Sequence, residues 1–201
     1  RDLGVVVSNR FIHRRREEGP LGNLIADLML EAEPTAQVAL TNGGSIRADL
    51  ESGPLTYGGL YQVFPFDNRF AVAKISGEAL LALISNRLQG SGSLFAIAGI
   101  EIRAACRGNE FFVQAFLPNN QEIQKDSTLT IVTSDFLASG GDRIFSAVGL
   151  TQKDFQISSE RIRDRLATLL KKRGGIIRPE TFFSPDKRRI SFKGTPPIRC
   201  E

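Results

Sequence analysis

The chain has 201 residues, with a hydrophobic share of 41% and a charged share of 24%, values typical of one globular domain. No apolar run approaches the ~20 residues of a membrane-spanning helix, and two cysteines with one histidine exclude a four-cysteine zinc site and a histidine-rich metal centre. The formal net charge is +4, and its basic excess lies in residues 160–201, which carry 12 basic and 5 acidic side chains.

The first half of the chain predicts helices and strands from apolar spacing and from the residues that flank each run. Apolar side chains recur at helical spacing over 20–33, where Pro20 suits the first turn and Pro34 ends the helix. The next elements are a buried strand over 37–41 that Asn42-Gly43-Gly44 breaks, a short helix that Thr56 caps and that ends by Pro65, an alternating strand over 70–76, and a helix from Gly77 to Leu88 that Ser76 begins.

The second half predicts more strands than helices. Gly90-Ser91-Gly92-Ser93 is typical of a flexible connector. It is followed by a hairpin over 94–105 and 111–117 and by a central strand over 129–134. Ser159 is predicted to cap a helix that carries Ile162, Leu166, Leu169 and Leu170 and has Gly174 just beyond its end. A strand near 188–193 closes the chain.

Helices and strands are interspersed, and some strands are linked as hairpins. The sequence therefore predicts an α+β (mixed α/β) fold, in which helices pack on mixed β-sheet layers. No linker is long enough to divide two domains, so we expect residues 1–201 to form a single domain. The chain begins at Arg1 without an initiator methionine, and we expect it to be a piece of a longer protein.

The common motifs of nucleotide-binding and hydrolytic sites do not occur in the sequence. There is no P-loop, no dinucleotide-binding glycine motif, no zinc-protease motif and no nucleophile elbow. A catalytic triad needs a histidine, and the single His13 stands beside Arg14, Arg15 and Arg16. We therefore expect His13 to be a surface residue and not a general base.

Three loops, at residues 41–47, 63–68 and 133–142, are the candidates for a binding site. Each follows a predicted strand or short helix and is interrupted by glycine or proline. In proteins built from strands and helices, ligands bind where loops leave the strands, so three such loops can share one mouth.

Five side chains in these loops suit the chemistry of a nucleotide. Phe66 and Phe136 offer two aromatic faces for a planar base, and Asp142 can accept hydrogen bonds from ribose hydroxyls. Asn42 offers a donor and an acceptor, and Arg47 offers a planar fork that matches phosphate.

Each of these features also has a purely structural interpretation. Asn-Gly-Gly is often only a turn, and most of the 14 phenylalanines must belong to the core. Asp142 can cap the helix that follows it, and an arginine run such as that around Arg15 is typical of a solvated face. Spacing alone leaves nucleotide binding as a hypothesis.

Taken together, four stretches make the sequence similar to a known family. They are LGNLIAD from residue 21, TNGGSIR from residue 41, VFPF from residue 63 and FLASGGD from residue 136, in family order over about residues 10–150. The sequence resembles the C-terminal domain of the 5'-nucleotidase family, which includes bacterial UDP-sugar hydrolases and vertebrate ecto-5'-nucleotidase.

The resemblance implies that this chain is the substrate-binding part of a metal-dependent phosphoric monoester hydrolase. In that family an N-terminal metallophosphoesterase domain holds two divalent metal ions, and the C-terminal domain binds the nucleotide. We expect the N-terminal domain to lie outside this chain, because one histidine cannot build such a metal site. This chain alone would then contain no cofactor, metal ligand or catalytic residue and would be inactive.

The family motifs also imply roles for individual residues. Phe66 and Phe136 match the pair that stacks on both faces of the base. Asp142 matches the carboxylate that binds the ribose hydroxyls, and Asn42 matches a side chain that contacts the base.

The implied phosphate contacts come from arginines. Arg47 matches one of them, and a second falls on Arg15, with Arg14 and Arg16 as alternatives after a shift of one residue. Gly44 would let the backbone approach the ligand closely.

One alternative function and two further expectations remain. The basic excess and the run Arg14–Arg16 also suit a non-catalytic module that binds nucleic acid or an acidic partner. Family members are mostly periplasmic, attached to the cell surface or secreted, and the resemblance implies the same here. In such a compartment Cys106 and Cys200 can pair, or Cys200 can be disordered near the chain end.

Overall fold

The structure is a computed structural model that describes residues 1–90, 92 and 94–201. This part of the chain contains eleven strands and six α-helices. In chain order they are β1 (Asp2–Val7), α1 (Pro20–Ala32), β2 (Val38–Asn42), β3 (Gly53–Thr56), α2 (Tyr57–Val63), β4 (Arg69–Ser76), α3 (Gly77–Gln89), β5 (Phe95–Ala98), β6 (Glu101–Arg107), β7 (Glu110–Phe116), β8 (Thr128–Ser134), α4 (Asp135–Ala138), β9 (Gln156–Arg161), α5 (Ile162–Arg173), β10 (Gly175–Ile177), α6 (Pro179–Phe182) and β11 (Ile190–Ser191). Of the predicted connector, Ser91 and Ser93 lie outside the described residues.

Five strands form a mixed central sheet in the order β5-β2-β8-β4-β9. β2 and β8 are parallel, whereas β4 runs antiparallel to β8 with Phe70 opposite Ser134. The ends of β2 and β8 and the start of β4 therefore lie at the same edge of the sheet. The loops that follow β2, follow β8 and precede β4 meet at that edge, and these are the three loops that the sequence indicates.

The central sheet is buried on both faces, because neighbouring residues along a strand point to opposite sides. In β2, Val38 and Leu40 pack into one apolar cluster and Ala39 between them packs into the other. Helices α1 and α5 contribute to the cluster on the Ala39 side, and α3 contributes to the opposite cluster. The predicted α+β architecture is confirmed, with helices on both faces of a mixed sheet.

Two smaller sheets, each of three strands, flank this core, in the orders β10-β1-β3 and β11-β6-β7. The first of them has no counterpart in the sequence predictions. Its strand β1 alternates exposed and buried residues over all six positions, a pattern typical of a half-buried strand. Its partners β3 and β10 have four and three residues, which is too short for periodicity to indicate a strand.

The start of α5 differs from the sequence prediction. Ser159 does not cap this helix, because it lies in β9, and the N-cap residue is Arg161. β9 pairs with β4, with Arg69 opposite Arg161, so sheet pairing extends the strand through the predicted cap. The predicted end is confirmed, since Gly174 directly follows the last helical residue with a positive φ of 58°, which favours glycine.

The predicted hairpin over 94–105 and 111–117 is correct only in its second half. Residues 95–107 form two strands, of which β5 joins the central sheet beside β2 and β6 pairs with β7. The segment therefore connects two sheets. Ile97 and Ile102, on either side of the break, both lie in the same apolar cluster.

The two cysteines form a disulfide bond, Cys106–Cys200, with their Cα atoms 5.4 Å apart. The chain end is held further by Ile198, which is buried and donates its backbone N–H to the carbonyl of Leu88 at 2.9 Å. The alternative of a disordered Cys200 is therefore wrong. Across residues 1–90, 92 and 94–201, no helix combines the length and the apolar character needed to cross a bilayer.

Candidate functional site

A cleft of about 270 Å³ opens at the sheet edge where the three loops meet. All seven residues that the sequence analysis singles out line it, and Ser45 and Asn68 complete the lining. The seven are Arg15, Asn42, Gly44, Arg47, Phe66, Phe136 and Asp142. The fold thus brings the candidates together, while their roles toward a ligand stay predictions.

The two aromatic side chains of the cleft are accessible to a ligand. Phe136 follows the N-terminus of α4 and is 45% exposed, and Phe66 is half-buried in the loop before β4. Neither belongs to the core, so the structural interpretation that sequence alone left open does not hold for them. The guanidinium carbon of Arg47 lies 5.3 Å from the centre of the Phe66 ring, a cation–π contact that holds both side chains at the cleft.

Gly141 determines where the Phe136 ring can lie. A Cβ atom at position 141 would stand 2.6 Å from the ring carbon Cε1 and 2.6 Å from the carbonyl oxygen of Phe136, which is closer than such atoms approach. The ring therefore packs directly against the glycine backbone. The sequence analysis treated Gly140-Gly141 as a loop signal and missed this packing role.

A polar pair joins the loop after β2 to the loop after β8. The Asn42 side-chain amide donates to Asp142 Oδ2 at 2.7 Å. Asn42 is only 4% exposed, and its Oδ1 atom has no hydrogen-bond partner within the described residues. A buried acceptor without a partner favours a ligand that carries an N–H or O–H donor.

The backbone at Asp142 has an uncommon conformation, with φ of 52° and ψ of 9°, in the left-handed region. Asp tolerates this region better than most residues, and such conformations concentrate at functional sites. The alternative that Asp142 merely caps a helix does not hold, because its carboxylate accepts from Asn42.

Arg87 is a site residue that the sequence analysis missed. It extends from α3 with a side chain only 12% exposed, and its Nη2 lies 3.6 Å from Asp142 Oδ2. Burial lowers the pKa of Arg87 below its ordinary value, and the Asp142 charge opposes this shift. The predicted helix placed Arg87 near its end, but nothing in the sequence indicates that it faces Asp142.

Of the three consecutive arginines, Arg15 is the one that lines the cleft. Its Nη2 lies 3.7 Å from the point where a Cβ of Gly44 would stand. Arg14 turns elsewhere, because it forms an ion pair with Glu17 at 3.2 Å and lies over the Phe183 ring.

His13 is half-buried, and its ring contacts the loop that follows β2. Its Nε2 is 3.1 Å from the carbonyl oxygen of Gly43, and its backbone N–H donates to Asp49 at 2.6 Å. A side chain at position 43 would meet the Arg15 carbonyl oxygen at 2.7 Å, so only glycine allows this approach. His13 and Gly43 together fix the loop that carries Asn42 against the segment that carries Arg15.

The cleft is suited to holding an anionic planar ligand and has no set of metal ligands. Within the described ranges, no three His, Cys, Asp or Glu side chains cluster as a metal site. The polar groups that line the cleft are two exposed guanidinium groups, one carboxylate, two amides and a hydroxyl. The guanidinium groups can bind an anion, and the carboxylate and amide oxygens can accept hydrogen bonds from a ligand.

Comparison with known proteins places this chain in a family. A family model described as "5'-nucleotidase, C-terminal domain" matches residues 4–149. The chain belongs to the 5'-nucleotidase C-terminal domain family. The resemblance found in the sequence is therefore confirmed.

Individual relatives agree with this family. Trifunctional nucleotide phosphoesterase protein YfkN of Bacillus subtilis is 33% identical over 178 residues, covering 79% of this chain and 12% of that protein. Endonuclease YhcR of the same organism is 35% identical over 136 residues, covering 67% of this chain and 11% of that protein. The crystal structure of a 5'-nucleotidase precursor from Thermus thermophilus matches with a TM-score of 0.80 and 25% identity, over 98% of this chain and 40% of that one. This chain thus spans only about a tenth of the two Bacillus subtilis relatives and 40% of the Thermus thermophilus protein.

Proposed function

We propose that this chain binds the nucleotide substrate of a 5'-nucleotidase-type phosphoric monoester hydrolase and presents its phosphate to a metal site in another domain. The observation that carries the proposal is the convergence of seven chemically suited residues, from four distant parts of the sequence, on one cleft of about 270 Å³. Family membership over residues 4–149 supports it.

The base would stack between Phe66 and Phe136. Both rings line the cleft and neither is buried in the core. Stacking contributes roughly 1–3 kcal/mol per base and depends little on which base is present. The cleft would therefore accept purine and pyrimidine nucleotides alike.

The ribose and the base edge would bind to Asp142 and Asn42. Asp142 Oδ2 is occupied by Asn42 and lies beside Arg87, which leaves Oδ1 for the vicinal hydroxyl groups. The unpartnered Oδ1 of Asn42 would accept a donor of the ligand. Gly44, without a side chain, leaves room for the ligand beside Asn42.

The phosphate would bind to Arg15 and Arg47, which lie at the cleft with exposed side chains. Guanidinium groups bind phosphate through two parallel hydrogen bonds, and they stay charged at any physiological pH. Holding the phosphate in a fixed orientation would lower the entropic part of the barrier to hydrolysis, because the reacting groups would already be aligned.

The metal chemistry of the reaction belongs, in this proposal, to an N-terminal metallophosphoesterase domain that holds two divalent metal ions. When bound there, the ions would supply an attacking water at neutral pH and would stabilise the charge on the phosphate. The residues of this chain bind and orient the nucleotide. The chain alone is therefore expected to release no phosphate from AMP with or without manganese, as a phosphate assay on contaminant-free protein would check.

The disulfide bond bears on the cellular compartment of the protein. We propose a periplasmic, surface-attached or secreted protein, because a disulfide bond such as Cys106–Cys200 persists in oxidising compartments.

Titration calorimetry with AMP, UMP and adenosine at millimolar concentrations tests the proposed function. The 201-residue chain is expected to bind all three, and Phe136→Ala should weaken binding by about 1–3 kcal/mol, which is roughly 5- to 150-fold. Phe183→Ala is the matched control, because Phe183 is a half-buried phenylalanine that does not line the cleft. Absence of heat with all three ligands would contradict the proposal.

A second candidate is binding of single-stranded nucleic acid at a basic surface. A separate cleft of about 470 Å³ is lined by Arg103, Arg107 and Lys193 together with Phe112 and Phe192. Titration of a fluorescent oligonucleotide at low and moderate salt distinguishes the two, since binding at this surface should fall steeply with salt and be unchanged by Phe136→Ala. No binding at low salt would eliminate this candidate.

A further inference from the structure

Arg163 lies in the first turn of α5, and its side chain is only 3% exposed. Among the described arginines that form ion pairs, it is the most buried. Its guanidinium group donates in three directions. Nε donates to the Tyr57 hydroxyl at 3.1 Å, Nη1 donates to the carbonyl oxygens of Phe64 at 3.2 Å and of Phe66 at 3.0 Å, and Nη2 donates to Asp67 Oδ1 at 2.6 Å. A buried charge needs such partners, because burying it without them costs several kcal/mol.

The position of Arg163 is itself fixed by two helices. The Tyr57 hydroxyl at the start of α2 donates to Asp164 Oδ1 at 2.5 Å, which ties α2 to α5. The Arg163 guanidinium carbon lies 4.5 Å from the centre of the Tyr61 ring, also on α2. The group is therefore held between two regular elements before it contacts the loop.

The segment between α2 and β4, residues 64–68, forms no helix or strand. It carries Phe66, one of the two aromatic faces of the cleft. Within the described residues, the Phe66 backbone forms one hydrogen bond, and Arg163 donates it to the Phe66 carbonyl oxygen. Asp67, the next residue, is bound by the same guanidinium group.

We propose that Arg163 is a positioning residue that sets the orientation of the Phe66 ring for stacking on the base. The proposal rests on the proposed function, because it assumes that the base binds between Phe66 and Phe136. Arg163 does not line the cleft, so it acts through the Phe66 backbone and not by touching the ligand. A lysine could not replace it, because an ammonium group is a point charge and cannot reach two carbonyls, a hydroxyl and a carboxylate at fixed angles.

Adenosine titrations of the 201-residue chain and of Arg163→Lys test this role. The variant is expected to bind adenosine roughly tenfold more weakly, a loss within the range of one stacking contact. Tyr57→Phe is the milder second variant. It keeps the Arg163 guanidinium and removes one hydroxyl, which accepts from Arg163 and donates to Asp164, so it should give a smaller loss in the same direction. Arg165→Lys is the control, because Arg165 is on the same helix but does not contact the 64–68 segment through any hydrogen bond within the described residues.

The decisive measurement is whether the effect of Arg163→Lys on adenosine affinity depends on the presence of the Phe66 ring or of the Phe136 ring. In a Phe66→Leu background, Arg163→Lys should cause little further loss of adenosine binding, because the ring it positions is gone. In a Phe136→Leu background it should cause the full loss of roughly tenfold. A purely structural role for Arg163 would reduce binding equally in both backgrounds.

The outcomes separate the two proposals. If the unsubstituted chain does not bind adenosine, the proposed function fails. If it binds adenosine but Arg163→Lys and Tyr57→Phe have no effect, or have equal effects in the Phe66→Leu and Phe136→Leu backgrounds, only the role of Arg163 is overturned. Should Arg163→Lys fail to fold, the same cycle with Tyr57→Phe decides.

Discussion

The side-chain amide of Asn42 donates to a carboxylate oxygen of Asp142 at 2.7 Å, across 100 positions of sequence. The same oxygen lies 3.6 Å from Nη2 of Arg87. Two groups contact the same carboxylate oxygen and so restrict the orientation of the Asp142 side chain. Preorganisation of this kind lowers the entropy that a ligand loses on binding.

Replacing Arg87 with methionine should weaken the binding of ligands that use the carboxylate. Met fills much of the volume of the Arg stem but removes the charge that faces Asp142. We expect adenosine to bind roughly 5- to 20-fold more weakly, since hydrogen bonds that involve charge contribute about 1.5–3 kcal/mol and this orientation would be lost only in part. Titration calorimetry measures the change.

The comparison ligand for this variant is 2',3'-dideoxyadenosine, which lacks both hydroxyl groups. Its affinity should be the same for Arg87→Met and for the unsubstituted chain. Arg173→Met serves as the matched control, because Arg173 also stands near the end of a helix and forms an ion pair, with Glu31, away from the cleft. An equal loss for both nucleosides would mean that Arg87 supports the fold and not the ribose contact.

Gly141→Ala should displace the Phe136 ring. The added Cβ would stand 2.6 Å from that ring, so either the ring or the backbone must move. We expect a free energy of unfolding lower by about 1–3 kcal/mol and a clear loss of adenosine affinity. Urea unfolding followed by circular dichroism measures the first effect, and calorimetry measures the second.

Gly58→Ala is the control for this substitution. Gly58 lies in α2, where a new Cβ would meet its nearest atom at an ordinary 3.7 Å. Alanine in a helix is more favourable than glycine by about 0.8–1 kcal/mol, so this variant should be as stable as the unsubstituted chain or more so. If Gly141→Ala behaved like Gly58→Ala, the packing of Phe136 against Gly141 would be unimportant in solution.

Reduction of the Cys106–Cys200 bond should destabilise the chain. The bond joins residues 94 positions apart and holds the last segment against β6. Closing a loop of this size in the unfolded chain accounts for roughly 4–5 kcal/mol in the entropic description, and measured losses are commonly about 2–5 kcal/mol. Urea unfolding with and without a thiol reductant measures the loss.

The double variant Cys106→Ala with Cys200→Ala controls for other effects of the reductant. Its unfolding should not respond to the reductant and should match that of the reduced chain. Identical stability of the oxidised and reduced chains would contradict the prediction.

The position of the cleft could be predicted from the sequence, because its determinants are local. The Asn42-Gly43-Gly44 turn comes at the end of β2, and the Gly140-Gly141-Asp142 turn follows β8 after the short helix α4. Parallel pairing of β2 with β8 brings the two turns to one edge. Residues that act through distant partners could not be found in this way. Arg87 meets Asp142 from another helix, and Arg163 meets the carbonyl of Phe66 across 97 positions.

The positions of Ser159 and His13 both depend on contacts that the local sequence does not indicate. A serine before an apolar helical pattern is a good local cap, but pairing of β9 with β4 takes precedence over that local preference. A histidine among arginines suggests a solvated face, but the carbonyl of Gly43 lies within hydrogen-bond distance of the ring. Contacts between segments far apart in sequence decided both positions.

The pH dependence of stability should report the anchor between Asp67 and Arg163. The hydrogen bond from Arg163 has the largest effect and lowers the pKa of Asp67 below its ordinary value. Burial opposes this shift, and the charges of Arg161 and Arg163 add to it. A carboxylate with a lower pKa in the folded chain stabilises that chain at pH values above its ordinary pKa. This stabilisation is lost as the pH falls through about 4 toward the lowered pKa.

Asp67→Asn removes the titrating group at this anchor while keeping its size. Its melting temperature should lie below that of the unsubstituted chain at pH 6, and the difference should shrink as the pH falls below about 4. Asp126→Asn is the control, because Asp126 is an exposed carboxylate in the turn before β8 and should give no such pH-dependent difference. A difference between Asp67→Asn and the unsubstituted chain that stays constant from pH 6 to about 3 would mean that the ion pair with Arg163 does not stabilise the loop that carries Phe66.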